Sequence, residues 1–98
     1  MIIKLTPNAR NGVLKVLKDG ECLVVNGERF DFSPLLDGES LPAAAINSEW
    51  FPLDVERVDG QLIIWLLLPH DSSAAESVRF PADIVNPPDG LINLPGAR

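Results

Sequence analysis

The sequence predicts a mainly β domain: a small antiparallel β-sheet or partly open barrel built from hairpins, with at most one short helix. Helix signals are scarce. Short apolar runs are closed again and again by an Asx-Gly pair, at Asn11-Gly12, Asp19-Gly20, Asn26-Gly27, Asp37-Gly38, Asp59-Gly60 and Asp89-Gly90, and such pairs supply the positive φ that tight hairpin turns require. Period-two alternation completes the case: Phe30 and Phe32 share one face of a strand and Arg29 and Asp31 the other, the pattern of a strand with one side buried and one side wet.

In chain order, strands are expected near residues 2–5, 13–18, 21–25, 28–32, 49–58, 61–68 and 77–80. The clearest unit is Val55-Glu-Arg-Val-Asp-Gly-Gln-Leu-Ile-Ile-Trp-Leu, two apolar strands around Asp59-Gly60, which reads as a hairpin with a type I′ turn. Val13 to Val25, continued through Asn26-Gly27 into Glu28-Arg-Phe-Asp-Phe, reads as a three-strand meander. Ser33-Pro34-Leu35-Leu36-Asp37-Gly38 reads as a turn, because Pro34 restricts the residue before it. Leu41-Pro42-Ala43-Ala44-Ala45-Ile46 suits one or two helical turns, with Pro42 near the first position and Leu41 and Ile46 packed on the sheet. Pro69 to Glu76 is small and polar, a surface loop. From Asn86 the chain is rich in Pro and Gly but interrupted by Leu91, Ile92 and Leu94, so it is either a disordered end or an extended segment lying on apolar surface. The domain organisation is a single antiparallel β domain over 1–85 with a Pro/Gly-rich tail over 86–98 that packs on the domain if it is ordered.

Composition narrows the function classes. The 98 residues are 46% hydrophobic, with 14 Asp+Glu against 8 Lys+Arg and a formal net charge of -6, so one small acidic soluble domain is expected. That balance leaves no basic footprint for a phosphate backbone, and the aromatics have mainly acidic company, so no nucleic-acid partner is expected. Cys22 is the only cysteine, which rules out an intramolecular disulfide or a CxxC metal site and fits an unoxidised compartment; a disulfide between subunits stays open. The start, Met1-Ile-Ile-Lys, lacks a signal-peptide pattern, and the longest apolar run, residues 62–69, is far short of the roughly 20 residues of a membrane span. No membrane partner is expected.

Constellations for chemistry are weak. His70-Asp71-Ser72-Ser73 holds the residue types of a hydrolytic triad, but consecutive loop residues rarely converge on one centre and no G-x-S-x-G elbow is present. Asp54 and Glu56 would share one strand face, the reading of a solvated surface more than of a glycosidase cleft. Phosphate-binding glycine loops and calcium loops are absent from the sequence. No catalytic residue, cofactor or metal is therefore assigned. The residues that stand out are aromatic. Trp50 and Phe51 are neighbours that face opposite sides of a regular strand, so either both are covered by the domain or one serves a partner. Trp65 alternates with Ile63 and Leu67 against Leu62, Ile64, Leu66 and Leu68, so both faces of that strand are apolar: it is central, covered on both sides, or buried by self-association. Trp50, Phe51 and Trp65 are the candidate protein-interface residues.

Met1-Ile-Ile-Lys-Leu, Val25-Asn-Gly-Glu-Arg-Phe-Asp-Phe-Ser-Pro-Leu, Ser48-Glu-Trp, Asp54-Val-Glu-Arg-Val-Asp-Gly, Leu66-Leu-Leu-Pro-His and Asn86-Pro-Pro-Asp-Gly together resemble a small, uncharacterised bacteriophage and prophage protein family, often encoded in the tail-gene region. The resemblance covers nearly the whole chain and carries no active site with it. It implies a non-enzymatic tail or tail-fibre accessory, assembly or minor structural protein, with a phage tail or tail-fibre protein as partner; a second copy of the chain as partner is the reading of the two apolar faces of residues 61–68. It also implies a location in the bacterial host cytoplasm during phage production, with association to the virion. The alternatives are a small hydrolase or enzyme accessory domain using His70, and a small-ligand binding β-barrel.

Overall fold

The computed structural model describes residues 1–10, 12–70 and 81–95. Its strands are β1 (Ile2–Ala9), β2 (Val16–Asp19), β3 (Cys22–Val25), β4 (Glu28–Asp31), β5 (Ser40–Leu41), β6 (Val55–Val58), β7 (Gln61–His70), β8 (Ile84–Val85) and β9 (Gly90–Leu91), with one short helix, α1 (Ala43–Ile46). They form two sheets, in the orders β5-β6-β7-β1-β8 and β4-β3-β2-β9. Neither closes into a barrel, and all pairings are antiparallel except β1 with β7. The strand expected at residues 77–80 and the Asn11 turn residue lie outside the described residues.

The hairpins follow the turn chemistry. Asp59 and Gly60 both take positive φ (49° and 80°) between Val58 and Gln61, as do Asn26 and Gly27 (49° and 88°) between Val25 and Glu28; two successive left-handed residues make a type I′ turn, whose twist matches that of the flanking strands. Between β2 and β3 the loop is Gly20-Glu21, one residue later than the Asp-Gly pair suggests, because Asp19 already pairs with Cys22. Positive φ falls only on its first residue, Gly20, the type II′ pattern.

Several boundaries depart from the sequence reading. β1 runs four residues past Leu5, through Pro7, which is tolerated because among the described residues β8 pairs only with Ile2 and Ile3 and asks no ladder donor of Pro7. The long strand expected at 49–58 is only Val55–Val58. Before it the chain turns, with the Phe51 N–H donating to the Ser48 carbonyl (3.3 Å) and Pro52 lacking a ladder donor. Asp54 therefore lies off the strand and does not pair with Glu56; its carboxylate instead accepts from the Ala43 N–H (2.9 Å) at the start of α1. That helix is one turn of the one or two expected, with Pro42 at the N-cap, one position before the first helical residue, and Asn47 in the left-handed region ends it (φ 56°). Leu41 and Ile46 pack on the core.

One core serves both sheets. Ile3, Leu5, Val55, Leu62, Ile64, Leu66 and Leu68 from the larger sheet meet Val16, Leu23, Val25 and Phe32 from the smaller. The Pro-rich segment lies on this core: β9 pairs with β2, and Ile92 and Leu94 are 5% and 6% exposed. At the seam between the sheets stands Arg57, whose Nε donates to the Leu35 carbonyl (2.6 Å). Its terminal nitrogens reach the Phe32 carbonyl (3.3 Å), the Gly60 carbonyl (3.4 Å) and the Glu21 carboxylate (2.7 Å).

Two substitution pairs test this packing by urea denaturation. Ile92→Ala costs about 2–4 kcal/mol, as a buried aliphatic does, while Leu91→Ala beside it stays within about 0.5 kcal/mol because that side chain is exposed. Arg57→Leu costs about 2–4 kcal/mol by stranding backbone carbonyls, whereas Glu21→Gln, on the solvated half of the ion pair, costs under about 1 kcal/mol.

Candidate interaction surface

β7 lies between β6 and β1, so its two side-chain rows see different surroundings. Leu62, Ile64, Leu66 and Leu68 are buried in the core, and Gln61, Ile63, Trp65 and Leu67 alternate to the outer side, where they are half-buried. The parallel register with β1 sets Ile2 beside Ile63, Lys4 beside Trp65 and Thr6 beside Leu67. Across the sheet, Val85 stands next to Ile2 and Glu56 next to Ile63. The result is an apolar outer face bordered by Val58 and Val85, which are 45% and 61% exposed. None of Ile2, Ile63, Trp65 or Leu67 packs on the core cluster.

Trp65 is fixed rather than loose on this face. The Lys4 ammonium lies 5.4 Å from its ring centroid and is itself tethered to Asp83 (2.8 Å), so the indole is held by its strand below and by a cation at its side. The ion pair is half exposed and contributes little to stability on its own; its effect is to order the two side chains. A rigid, amphipathic ring ringed by aliphatics is the usual anchor of a protein contact, since little conformational entropy remains to be lost on docking.

The other two aromatic candidates sit elsewhere. Phe51 is 3% exposed and packs edge-on to Phe30 (centroids 4.7 Å) and tilted against Phe32 (5.9 Å), so it is a core residue and offers no surface. Trp50 is half-buried against the core, with Arg10 stacked on it at 5.2 Å and tied to Glu49 at 3.0 Å. Both rings turn inward because the chain at Ser48–Phe51 is a turn and not the regular strand that would have sent them to opposite sides.

His70 closes β7 opposite Ala9, and its carbonyl accepts from the Arg10 N–H (3.1 Å); Asp71, Ser72 and Ser73 lie outside the described residues. Among the described residues no group of three or more His, Cys, Asp or Glu side chains is placed to hold a metal ion, and no helix is long and apolar enough to cross a membrane. Cys22 is buried and donates to Asp31 (3.3 Å); burial first, then that bond, pushes its thiol pKa up, which argues against its reaching a thiol of another subunit. At one end of the seam a groove of about 240 Å³ collects Lys18 and Arg57, but their charges are already matched by Asp89 (2.9 Å) and Glu21. Comparison of the chain with protein-family models, curated proteins and solved structures finds no match.

Two carboxylates are held below the usual range: Asp89 by the Lys18 ammonium and then the Gly20 N–H, and Asp31 by the Ser33 backbone N–H, the Ser33 hydroxyl and the Cys22 thiol. Their unfolded values lie near 3.9, so on acidification the unfolded chain takes up protons first, and the stabilisation is complete above about pH 5 and lost as pH falls through the folded values. The urea midpoint should fall steadily from about pH 5 to about pH 2, and the slope should flatten in an Asp31→Asn, Asp89→Asn double variant.

Proposed function

We propose that this chain is a non-enzymatic binding protein that acts by protein–protein contact, docking its partner on the outer face of the larger sheet around Trp65. The observation that carries this reading is the outward row Ile63, Trp65 and Leu67 on a central strand, flanked by Ile2 and bordered by exposed Val58 and Val85. An apolar row on the solvent side of a sheet costs solubility unless it is covered, and monomeric proteins seldom keep one without a use. The net charge of -6 offsets that cost by favouring solubility and discouraging contact with nucleic acid.

The sequence resemblance to the phage and prophage family makes a tail or tail-fibre protein the partner we propose. The chain then works as an accessory, assembly or minor structural protein in the host cytoplasm during phage production, and travels with the virion if it is structural. A second copy of the chain is the other occupant that the same face would admit.

The test is co-purification from a producing lysate, with assembled particles resolved from soluble complexes. The wild-type chain should recover one tail or fibre protein, and Trp65→Ala should weaken that complex by about thirtyfold or more, as loss of an interface anchor does. Leu91→Ser, on the outer face of the smaller sheet, should leave it unchanged. Undiminished recovery by a folded Trp65→Ala variant, or no partner in either fraction, would overturn the proposal.

A further inference from the structure

We propose a second binding site, separate from the Trp65 face: the groove where the free edges of the two sheets meet takes an extended peptide segment of a partner protein that carries a lysine or arginine beside aliphatic residues. Among the described residues the larger sheet ends on one side at β5 and the smaller at β4. Asp31 of β4 and Ser40 of β5 line one groove of about 340 Å³, with buried Phe32 and half-buried Leu35 and Leu41 as its apolar floor and exposed Glu39 on its rim.

The backbone on both sides is set up for strand addition. Phe32 N–H donates to the Glu21 carbonyl (3.1 Å) and Arg57 N–H to the Glu39 carbonyl (3.1 Å). Hydrogen-bonded and non-hydrogen-bonded pairs alternate along an antiparallel ladder, so the next pairs, Asp31 with Cys22 and Ser40 with Glu56, leave the N–H and C=O of Asp31 and Ser40 directed away from their sheets. An extended segment satisfies such groups, while side-chain pockets choose the sequence.

Charge selects the segment. Asp31 and Glu39 belong to no ion pair among the described residues. The Asp31 carboxylate instead takes the Ser33 N–H (2.9 Å) and the Cys22 thiol (3.3 Å) on Oδ1, and the Glu39 carboxylate takes the Leu36 N–H (2.6 Å) on Oε1, which orients both and leaves the second oxygen of each for an incoming donor. Asp31 stays ionised at neutral pH because its bonds hold its pKa down. Two fixed carboxylates, Glu39 on the rim and Asp31 on the edge strand, border the apolar floor, and they accept a cationic side chain next to an aliphatic one and repel an acidic segment. Leu36, 66% exposed beside the rim, extends the apolar contact.

The proposal is tested by amide chemical-shift titration of the whole protein with three blocked hexapeptides: alternating lysine and valine, alternating glutamate and valine, and the lysine peptide N-methylated at alternate residues. The lysine peptide should move the amides of Asp31, Ser40 and Leu41. The glutamate and N-methylated peptides should each bind at least about tenfold more weakly, as should the lysine peptide to an Asp31→Asn, Glu39→Gln variant whose amide side chains keep the local bonds. Absence of shifts up to about 1 mM lysine peptide, equal affinity of the glutamate or N-methylated peptide, or shifts centred on Trp65 would overturn it.

Discussion

The two sheets depend on a polar tie at Arg57. The chain crosses between the sheets three times, after β1, after β4 and after β8, and the second crossing brings the Phe32 and Leu35 carbonyls to the edge of an apolar core. A carbonyl left dry there costs as much as a lost hydrogen bond. A guanidinium is suited to this place because its planar fork offers several donors in fixed directions and never loses its charge. Arg57 uses them on the crossover, on the β6–β7 turn at Gly60 and on the β2–β3 turn at Glu21. Three segments distant in sequence are thus fixed to one side chain, and the groove between the free edges of β4 and β5 keeps its shape because its floor loop is anchored from beneath.

Local chemistry was legible in the sequence, and long-range pairing was not. The Asp59-Gly60 and Asn26-Gly27 hairpins, the three-strand meander and the turn of helix after Pro42 follow from residues a few positions apart. The parallel pairing of β1 with β7 joins Ile2 to Ile63, and nothing local to either strand records its partner. β5, β8 and β9 are two residues long, too short to show a period, and exist because neighbouring edges hold them. Arg57 did leave a trace: it shares the alternation of Val55, the inward side of β6, so a cation on a core face was readable as a buried donor seeking acceptors.

The candidate surface was partly legible for the same reason. Alternation on residues 61–68 separates a core row from an outer row without reference to any other strand, and Trp65 falls on the outer one. Trp50 and Phe51 required knowledge of the backbone, because a turn stabilised by Ser48 removes the opposition that strand geometry imposes on adjacent side chains. The groove at the sheet edges was invisible at the sequence level, since it needs β4 and β5 to be edges, a property of the whole topology. Both surfaces draw on sheet chemistry that the described residues leave unfinished, a half-buried apolar face in one case and edge strands in the other.

The β1–β7 pairing also sets an order of events during synthesis. β1 is made before β7, and the strand that flanks it along its whole length emerges only after β2 to β6 have been made. The meander β2-β3-β4 needs only neighbours and can close early, whereas contacts of high sequence separation form late because the intervening chain must be ordered to make them. Until β7 arrives, Ile3 and Leu5 lack the neighbour that completes their sheet, so the nascent chain carries an unpaired apolar strand while β2 to β6 are made. A ribosome that stalls before residue 61 releases that strand without its β7 partner, which makes synthesis of β7, more than the stability of the earlier parts, the step that protects it from aggregation.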